Sequence, residues 1–465
     1  MKSAPGLSLC TPFLSALSLL LSFSAAAQLP PKLLVSQPID ESKTVTLRGT
    51  VHPLTRAESD QGPVPDTFAA NHMLLMLNRP PDREAALQRF LSDAHNPGSS
   101  VYHKWITPEQ FGGLYGPADS DIQAAVSWLS SHGFRVSSVT KAKSLIEFSG
   151  TAANVRDAFH TEIHRYTING EIHYANAAEL AIPEALVPLV RGFSPINNFR
   201  LKPAVVSGGK SRYSRSTGKA APLFTKPDGS TDFFAIAPED FATQYDVGPL
   251  YASGVNGTGQ VIGILGVSNI DLSLVNDFRQ LFGLSNNPTQ VVIDGGDPGI
   301  EPLPGSDLEA YLDVELSGAV APNATVNLYI SDGSQVQDPL VLAALRAIED
   351  NQASVLSLSV SSCESDLGPS GNQMWAGLWQ QAAAQGQTVF VASGDSGSAG
   401  CDFDGQQAAT QGLAVNGIAS TPWNVAVGGT DFFYPGYASG PSSAAPFWNQ
   451  TNDSSNGSLK QSLRW

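Results

Sequence analysis

Six apolar runs in the second half of the chain limit what it can fold into. They are QVIGILGV (260–267), QVVIDGG (290–296), ATVNLYIS (324–331), SVLSLSV (354–360), QTVFVASGD (387–395) and NVAVGGTDF (424–432). Helical periodicity fills the intervals near 272–282, 307–318, 339–350 and 371–385. Strands that are apolar on both faces and separated by helices form a parallel sheet covered on both sides. The expectation is therefore an α/β domain with a doubly wound parallel sheet over residues 233–465.

The first half reads differently. HMLLMLN (72–78) has the pattern of a strand, DREAALQRFLSDAH (82–95) and DSDIQAAVSWLSSHG (119–133) of helices, and FRVSSVT and SLIEFSG of paired strands. AANVRDAF then reads as a short helix, and TEIHRYTI followed by Asn169-Gly170 as a hairpin. Strand-helix-strand-strand-helix-strand order predicts an α+β, ferredoxin-like sheet. Ahead of it, Lys2, an apolar stretch over 12–24 and Ala25-Ala26-Ala27 have the form of a secretory signal ending at residue 27. The predicted organisation is a signal at 1–27, an N-terminal extension at 28–67 and an α+β domain at 68–200. A basic Gly/Ser/Pro-rich linker at 201–232 and the α/β domain at 233–465 complete it. No later segment reaches 18 apolar residues, so no membrane partner is expected after signal removal.

Charge separates the halves. Residues 1–232 carry a net +3 and residues 233–465 a net −19, for −16 overall. Such acidity excludes nucleic acid as a partner. All eight histidines precede residue 200, so a Ser-His-Asp site within the second half is excluded as well. Acid–base chemistry there falls to carboxylates.

Two carboxylates have suitable spacing. Glu309 and Asp313, in SDLEAYLDVELSGAVAP, lie i,i+4 on one helical face, with Leu308, Leu312 and Leu316 as an apolar stripe. Like charges that close cannot both ionise freely, so the pair can share a proton and act as a general base. Asp395, in VASGDSGSAG, ends an apolar strand, the edge at which open parallel sheets place their sites. In acid form it can donate to a developing oxyanion. The GDSGS text also mimics the nucleophile loop of chymotrypsin-like proteases. The flanking helices and the lack of a histidine argue against Ser396 in that role. With Cys10 lost with the signal, Cys363 and Cys401 remain, and an even pair in an exported protein predicts a disulfide. No residue set reads as a metal site.

Taken in order, the motifs resemble the sedolisin family of serine-carboxyl peptidases in its pro-kumamolisin-like form. YHKWITPEQFGGLYGP (102–117), IEFSGTAANVRDAFHTEIHRY (146–166) and ANAAELAIPEALVPLVRGF (175–193) are similar to that family's propeptide. FAIAPEDFATQYDV (234–247), GTGQVIGIL (257–265), EAYLDVELSGAVAP (309–322), ASGDSGSAGCD (392–402) and PWNVAVGGT (422–430) are similar to its catalytic domain. The resemblance implies a subtilisin-like fold. It assigns Glu309 as the base that activates a serine, Asp313 as the acid that orients it and Asp395 as the oxyanion partner. Ser359, Val360 and Ser361, in SLSVSSCE, match the strand that pairs with substrate backbone, although the family has an aromatic-glycine or similar pair where this chain has Val360-Ser361. The nucleophile motif G-T-S-x-x-x-P does not occur, so no nucleophile is assigned. The family's calcium, held by a C-terminal aspartate-rich loop, has no counterpart in the text.

The implied protein is a secreted, monomeric zymogen acting on polypeptide substrates at acidic pH. Its own propeptide would be the intramolecular inhibitor. Without the serine the chain is expected to be inactive, and the alternative is a pseudopeptidase or fragment that binds peptide without cleaving it. The +2 balance of residues 28–232 against −19 in the acidic domain predicts that the two attract through charge. The propeptide's affinity for the acidic domain should fall between neutral pH and about pH 4 as carboxylates protonate. A titration showing equal affinity at both pH values would refute this.

Overall fold

The computed structural model of the chain describes residues 31–203, 236–285, 287–402 and 408–430, together with short strands between 212 and 234. The predicted signal lies outside the described residues. The N-terminal domain comprises β1 (Thr44–Thr46), β2 (Asp60–Pro63), β3 (Ala69–Leu77), α1 (Pro81–Ala94), α2 (Pro108–Tyr115), α3 (Asp119–Ser131), β4 (Arg135–Val139) and β5 (Leu145–Thr151). It continues through α4 (Ala152–Phe159), β6 (Ile163–Ile168), β7 (Glu171–Asn176), β8 (Ala181–Pro183) and β9 (Val190–Phe193).

Its main sheet is antiparallel in the order β4-β5-β3-β9. That is the ferredoxin-like order, but the fourth strand is β9, not the TEIHRYTI strand. The latter is β6, which pairs with β2 and β7 in a separate three-stranded sheet. The Asn169-Gly170 turn does form, with φ of 51° and 82°, the left-handed values that a tight two-residue hairpin requires. Helices α3 and α4 pack an aromatic core of Trp128, Phe134, Phe148, Phe159 and Phe193 on one face of the main sheet.

The other face is buried as well, which explains why HMLLMLN shows no alternation. Met73, Leu75 and Leu77 of β3 enter the aromatic core. Leu74 and Met76, one residue out of phase, pack with Leu145 against Leu340, Val341, Met374, Trp375 and Leu378 of the C-terminal domain. Each such side chain contributes roughly 1.5–3 kcal/mol on burial.

Between the domains run β10 (Lys202–Pro203) and two short hairpins, β11 (Arg212–Ser214) with β12 (Lys219–Ala221) and β13 (Thr225–Pro227) with β14 (Asp232–Phe234). The C-terminal domain follows with α5 (Pro238–Gln244), α6 (Gly248–Ala252), β15 (Val261–Leu265), α7 (Leu272–Leu281), β16 (Thr289–Asp294), α8 (Ser306–Val320), β17 (Thr325–Ser331) and α9 (Pro339–Asp350). It then has β18 (Val355–Leu358), β19 (Val360–Ser361), α10 (Glu364–Ala384), β20 (Thr388–Ala392) and β21 (Val425–Val427). Helix α10 is interrupted at Gly368 (φ 62°, ψ 178°), ahead of Pro369.

The six expected strands form one parallel sheet in the order β16-β17-β15-β18-β20-β21. Strands are added to one side of β15 and then to the other, so the sheet is doubly wound. Helices α9 and α10 cover one face and α7 and α8 the other. On α8 the buried stripe is Ala310-Val314-Gly318, whereas Leu308 and Leu312 are exposed, contrary to the expected apolar stripe. The small residues sit inward because the helix lies close on Ile264, Val326, Leu328 and Ile330.

The N-terminal extension belongs to the first domain. Strand β1 pairs with β8, and the buried Asp121 accepts the backbone N–H groups of Leu34 at 2.9 Å and Val35 at 3.0 Å. Asp121→Ala should lower stability by about 2 kcal/mol, because two partly buried donors lose their acceptor. Urea unfolding measures this, and limited proteolysis should show residues 31–50 cut first.

Candidate active site

The carboxyl ends of β15, β18 and β20 meet the N-terminal turn of α8, the expected place for a site in an open parallel sheet. Gly305 precedes α8 at φ 76°, a left-handed value that suits glycine. Glu309 lies in the first helical turn and Asp313 one turn further on.

Burial is the main reason that both carboxyls hold protons. It pushes Glu309 up to about 7, and the charges of Asp313 and then Asp395 add to the effect. Burial also pushes Asp313 up to about 6, opposed by a hydrogen bond from Ser359. Ser359 Oγ donates to Asp313 Oδ1 at 2.9 Å. A cavity of about 10 Å³, roughly room for one water, lies among Glu309, Asp313, Ser359 and the apolar Ile264, Leu265, Val267 and Val360. Such surroundings favour the neutral acids.

Asp395 lies in the exposed loop after β20, close enough for its charge to act on Glu309. Carboxylates from two separate parts of the sequence, a pair on α8 and one after β20, are thus brought together. The loop is anchored on both sides of Asp395. A disulfide joins Cys363, at the start of α10, to Cys401. Asn416, which is buried, donates to Ala392 O at 2.7 Å and accepts from Ser362 N at 3.2 Å and Ile418 N at 3.0 Å. Sequence reasoning missed Asn416, because no local pattern reveals an asparagine that ties three distant backbone segments together.

Ser359, Val360 and Ser361 do not act as one strand. Val360 and Ser361 form β19, paired antiparallel with Pro203 and Lys202 of β10. Ser359 lies in the gap between β18 and β19 and turns its hydroxyl to Asp313. The segment that read as the start of a linker therefore lies along the predicted substrate strand. Among the described residues one Cys/Asp cluster, Cys363, Asp366 and Cys401, has metal-ligand spacing. Its two sulfurs are bonded to each other, leaving one carboxylate, so the cluster does not fit a cation such as calcium that takes six to eight oxygens.

A carboxyl that holds its proton more tightly folded than unfolded stabilises the protein at low pH, and that stabilisation is lost as pH rises through the folded value. Glu309 titrates near 4.5 in the unfolded chain and near 7 in the folded one. Glu309→Gln should therefore be more stable than the parent at pH 7, by about 1 kcal/mol once solvent access to this half-buried group is allowed for. The gain should vanish below about pH 4.5. Urea unfolding at pH 7 and pH 4 measures the difference.

The family described as "Pro-kumamolisin, activation domain" matches residues 59–199. Sedolisin from Pseudomonas sp. (strain 101) is 29% identical over 385 residues, covering 81% of this chain and 62% of that protein. Xanthomonalisin from Xanthomonas sp. (strain T-22) is 28% identical over 420 residues, covering 84% of this chain and 49% of that protein. A solved structure, "Pseudomonas sedolisin (serine-carboxyl proteinase) complexed with two molecules of pseudo-iodotyrostatin", is 27% identical with a TM-score of 0.37, over 48% of this chain and 61% of that one. The chain thus spans between about half and three fifths of the length of these relatives. Its N-terminal domain matches the activation domain and most of its length aligns with sedolisin and xanthomonalisin, so the chain is similar to the sedolisin family in its pro-kumamolisin-like precursor form.

Proposed function

We propose that the chain is the precursor of a secreted serine-carboxyl endopeptidase that cleaves polypeptides on the acidic side of neutrality. The observation that carries this reading is the convergence of Glu309 and Asp313, both pushed upward by burial, with the charge of Asp395 acting on Glu309, at the carboxyl edge of the sheet. Glu309 would take the proton of a serine hydroxyl as it attacks the peptide carbonyl and return it to the leaving amine. Asp313 would orient Glu309 and share its proton. Asp395 would lie beside the developing oxyanion, as the resemblance implies. No nucleophile is assigned within residues 1–465.

The working form of the pair carries one proton. The pair takes up its two protons near 7 and near 6, so the one-proton form is most populated between those values. Glu309 can act as a base in it when the proton rests on Asp313, and that ability is lost as a second proton binds at lower pH. This places the expected window in weakly acidic solution while the propeptide is docked.

Two further features support the zymogen reading. The antiparallel pairing of β10 with β19 puts the end of the propeptide where an extended peptide would add to the sheet edge. The apolar seam from Leu74 and Met76 holds the propeptide on the same domain. For export, the support is the signal-like residues 1–27. No helix among the described residues is long and apolar enough to cross a membrane.

The test is incubation of the secreted chain with a denatured protein from pH 3 to 8, with mass spectrometry of the products. In a version of the chain that also carries the nucleophile segment, cleavage that falls by ~10³-fold in Glu309→Gln is the expected outcome. Undiminished cleavage in that variant would refute the assignment of the base. Peptide retained along β19 with no cut at any pH would make the chain a binder.

A further inference from the structure

We propose that Ser359 is a positioning residue for the acid pair, its hydroxyl holding one oxygen of Asp313 and leaving the other for Glu309. The inference rests on the peptidase reading given above and deepens it.

Asp313 has apolar neighbours. The walls of its small cavity are largely Ile264, Leu265, Val267, Ala310 and Val360, none of which can donate. Two hydroxyls line the cavity, those of Ser306 and Ser359. Ser306 is already committed, donating to Leu303 O at 2.7 Å and accepting from Leu303 N at 3.3 Å, so it closes the turn that starts α8. Ser359 is the hydroxyl that reaches Asp313, at 2.9 Å. The charged group nearby is Glu309, on the same helix, which in turn feels the charge of Asp395 from the loop after β20. The strand side, from Ile264 and Leu265 of β15 to Val360 of β19, brings no charge.

That asymmetry gives the hydroxyl its effect. A carboxylate in an apolar wall, facing only other carboxylates, is stabilised as an anion by each donor it gains. A donor fixed on one oxygen also fixes the plane of the carboxyl, and so the direction in which the second oxygen meets Glu309. The backbone holds this donor in place. Ser359 sits between β18, an interior strand of the parallel sheet, and β19, whose Val360 and Ser361 carry the pairing with β10. The strand that receives an extended peptide thus also carries the group that sets the acid pair.

The experiment is carboxyl carbon NMR on the full chain labelled at Asp and Glu side chains, with Asp313→Asn and Glu309→Gln spectra assigning the pair. Ser359→Ala should move the lower of the two titration steps upward by about one pH unit, the effect of one charge-assisted hydrogen bond. Ser359→Thr, which restores the hydroxyl, should return it to the parent value. Ser359→Cys, a weaker donor, should fall between them and serves if the alanine variant does not fold. Equal titration of the pair in the parent and in Ser359→Ala or Ser359→Cys would overturn the proposal, as would a shift that Ser359→Thr fails to restore. The titration needs no turnover. Cleavage undiminished in Glu309→Gln would refute the peptidase reading while leaving this test intact.

Discussion

The burial of both faces of β3 governs how the two domains sit together. One face closes the aromatic core of the N-terminal domain, and the other rests on α9 and α10 of the C-terminal domain. Leu74, Met76 and Leu145 would otherwise expose a continuous apolar surface, so the seam follows from the strand's composition. Polar contacts fix its register. Lys141 N donates to Glu349 Oε2 at 2.7 Å, Ser144 Oγ to Gln381 Oε1 at 3.2 Å and Arg200 Nη1 to Gln337 O at 2.7 Å. Trp105 lies against Gly386, where a Cβ would stand 2.3 Å from the indole, so only glycine admits the ring there. With the domain held in this way, the chain leaving it at Phe199 reaches the C-terminal sheet edge within a few residues and can pair as β10.

The same sheet edge carries an electrostatic conflict. Glu309 and Asp313 meet the loop of Asp395 at the end of the sheet, where burial raises the cost of ionising both helix carboxyls and the charges of Asp313 and Asp395 add to it at Glu309. A fold selected only for stability would not place them together, because the penalty at neutral pH is avoidable with glutamine or asparagine. The compensation is local. Ser359 donates to Asp313, while the disulfide and Asn416 hold the Asp395 loop at its distance. The docked segment and the acid pair therefore share a structural element. The strand segment that pairs with β10 begins one residue after the hydroxyl that meets the acid pair.

Much of this was legible in the residue order. The parallel sheet followed from six runs that are apolar on both faces, and the carboxylate pair from an i,i+4 spacing in a chain half without histidine. The Asn169-Gly170 turn was equally readable, because its left-handed backbone demands those residue types. Two errors share one cause. The fourth strand of the first sheet and the buried stripe of α8 both depend on partners far away in sequence. TEIHRYTI and VRGF both have strand character, and only packing decides that VRGF lies beside β3. Likewise, leucines outrank alanine and glycine in hydrophobicity, yet the close approach of α8 to the sheet selects the smaller residues.

The sequence by itself determined the element types, the sheet class and the candidate acids, since periodicity and composition are local properties of the chain. Tertiary structure decided which surfaces meet. It placed β3 between two cores, laid residues 202–203 along Val360 and Ser361, and turned Ser359 toward Asp313. Contact between residues distant in the chain is set by the simultaneous burial of many faces, and no local pattern encodes that.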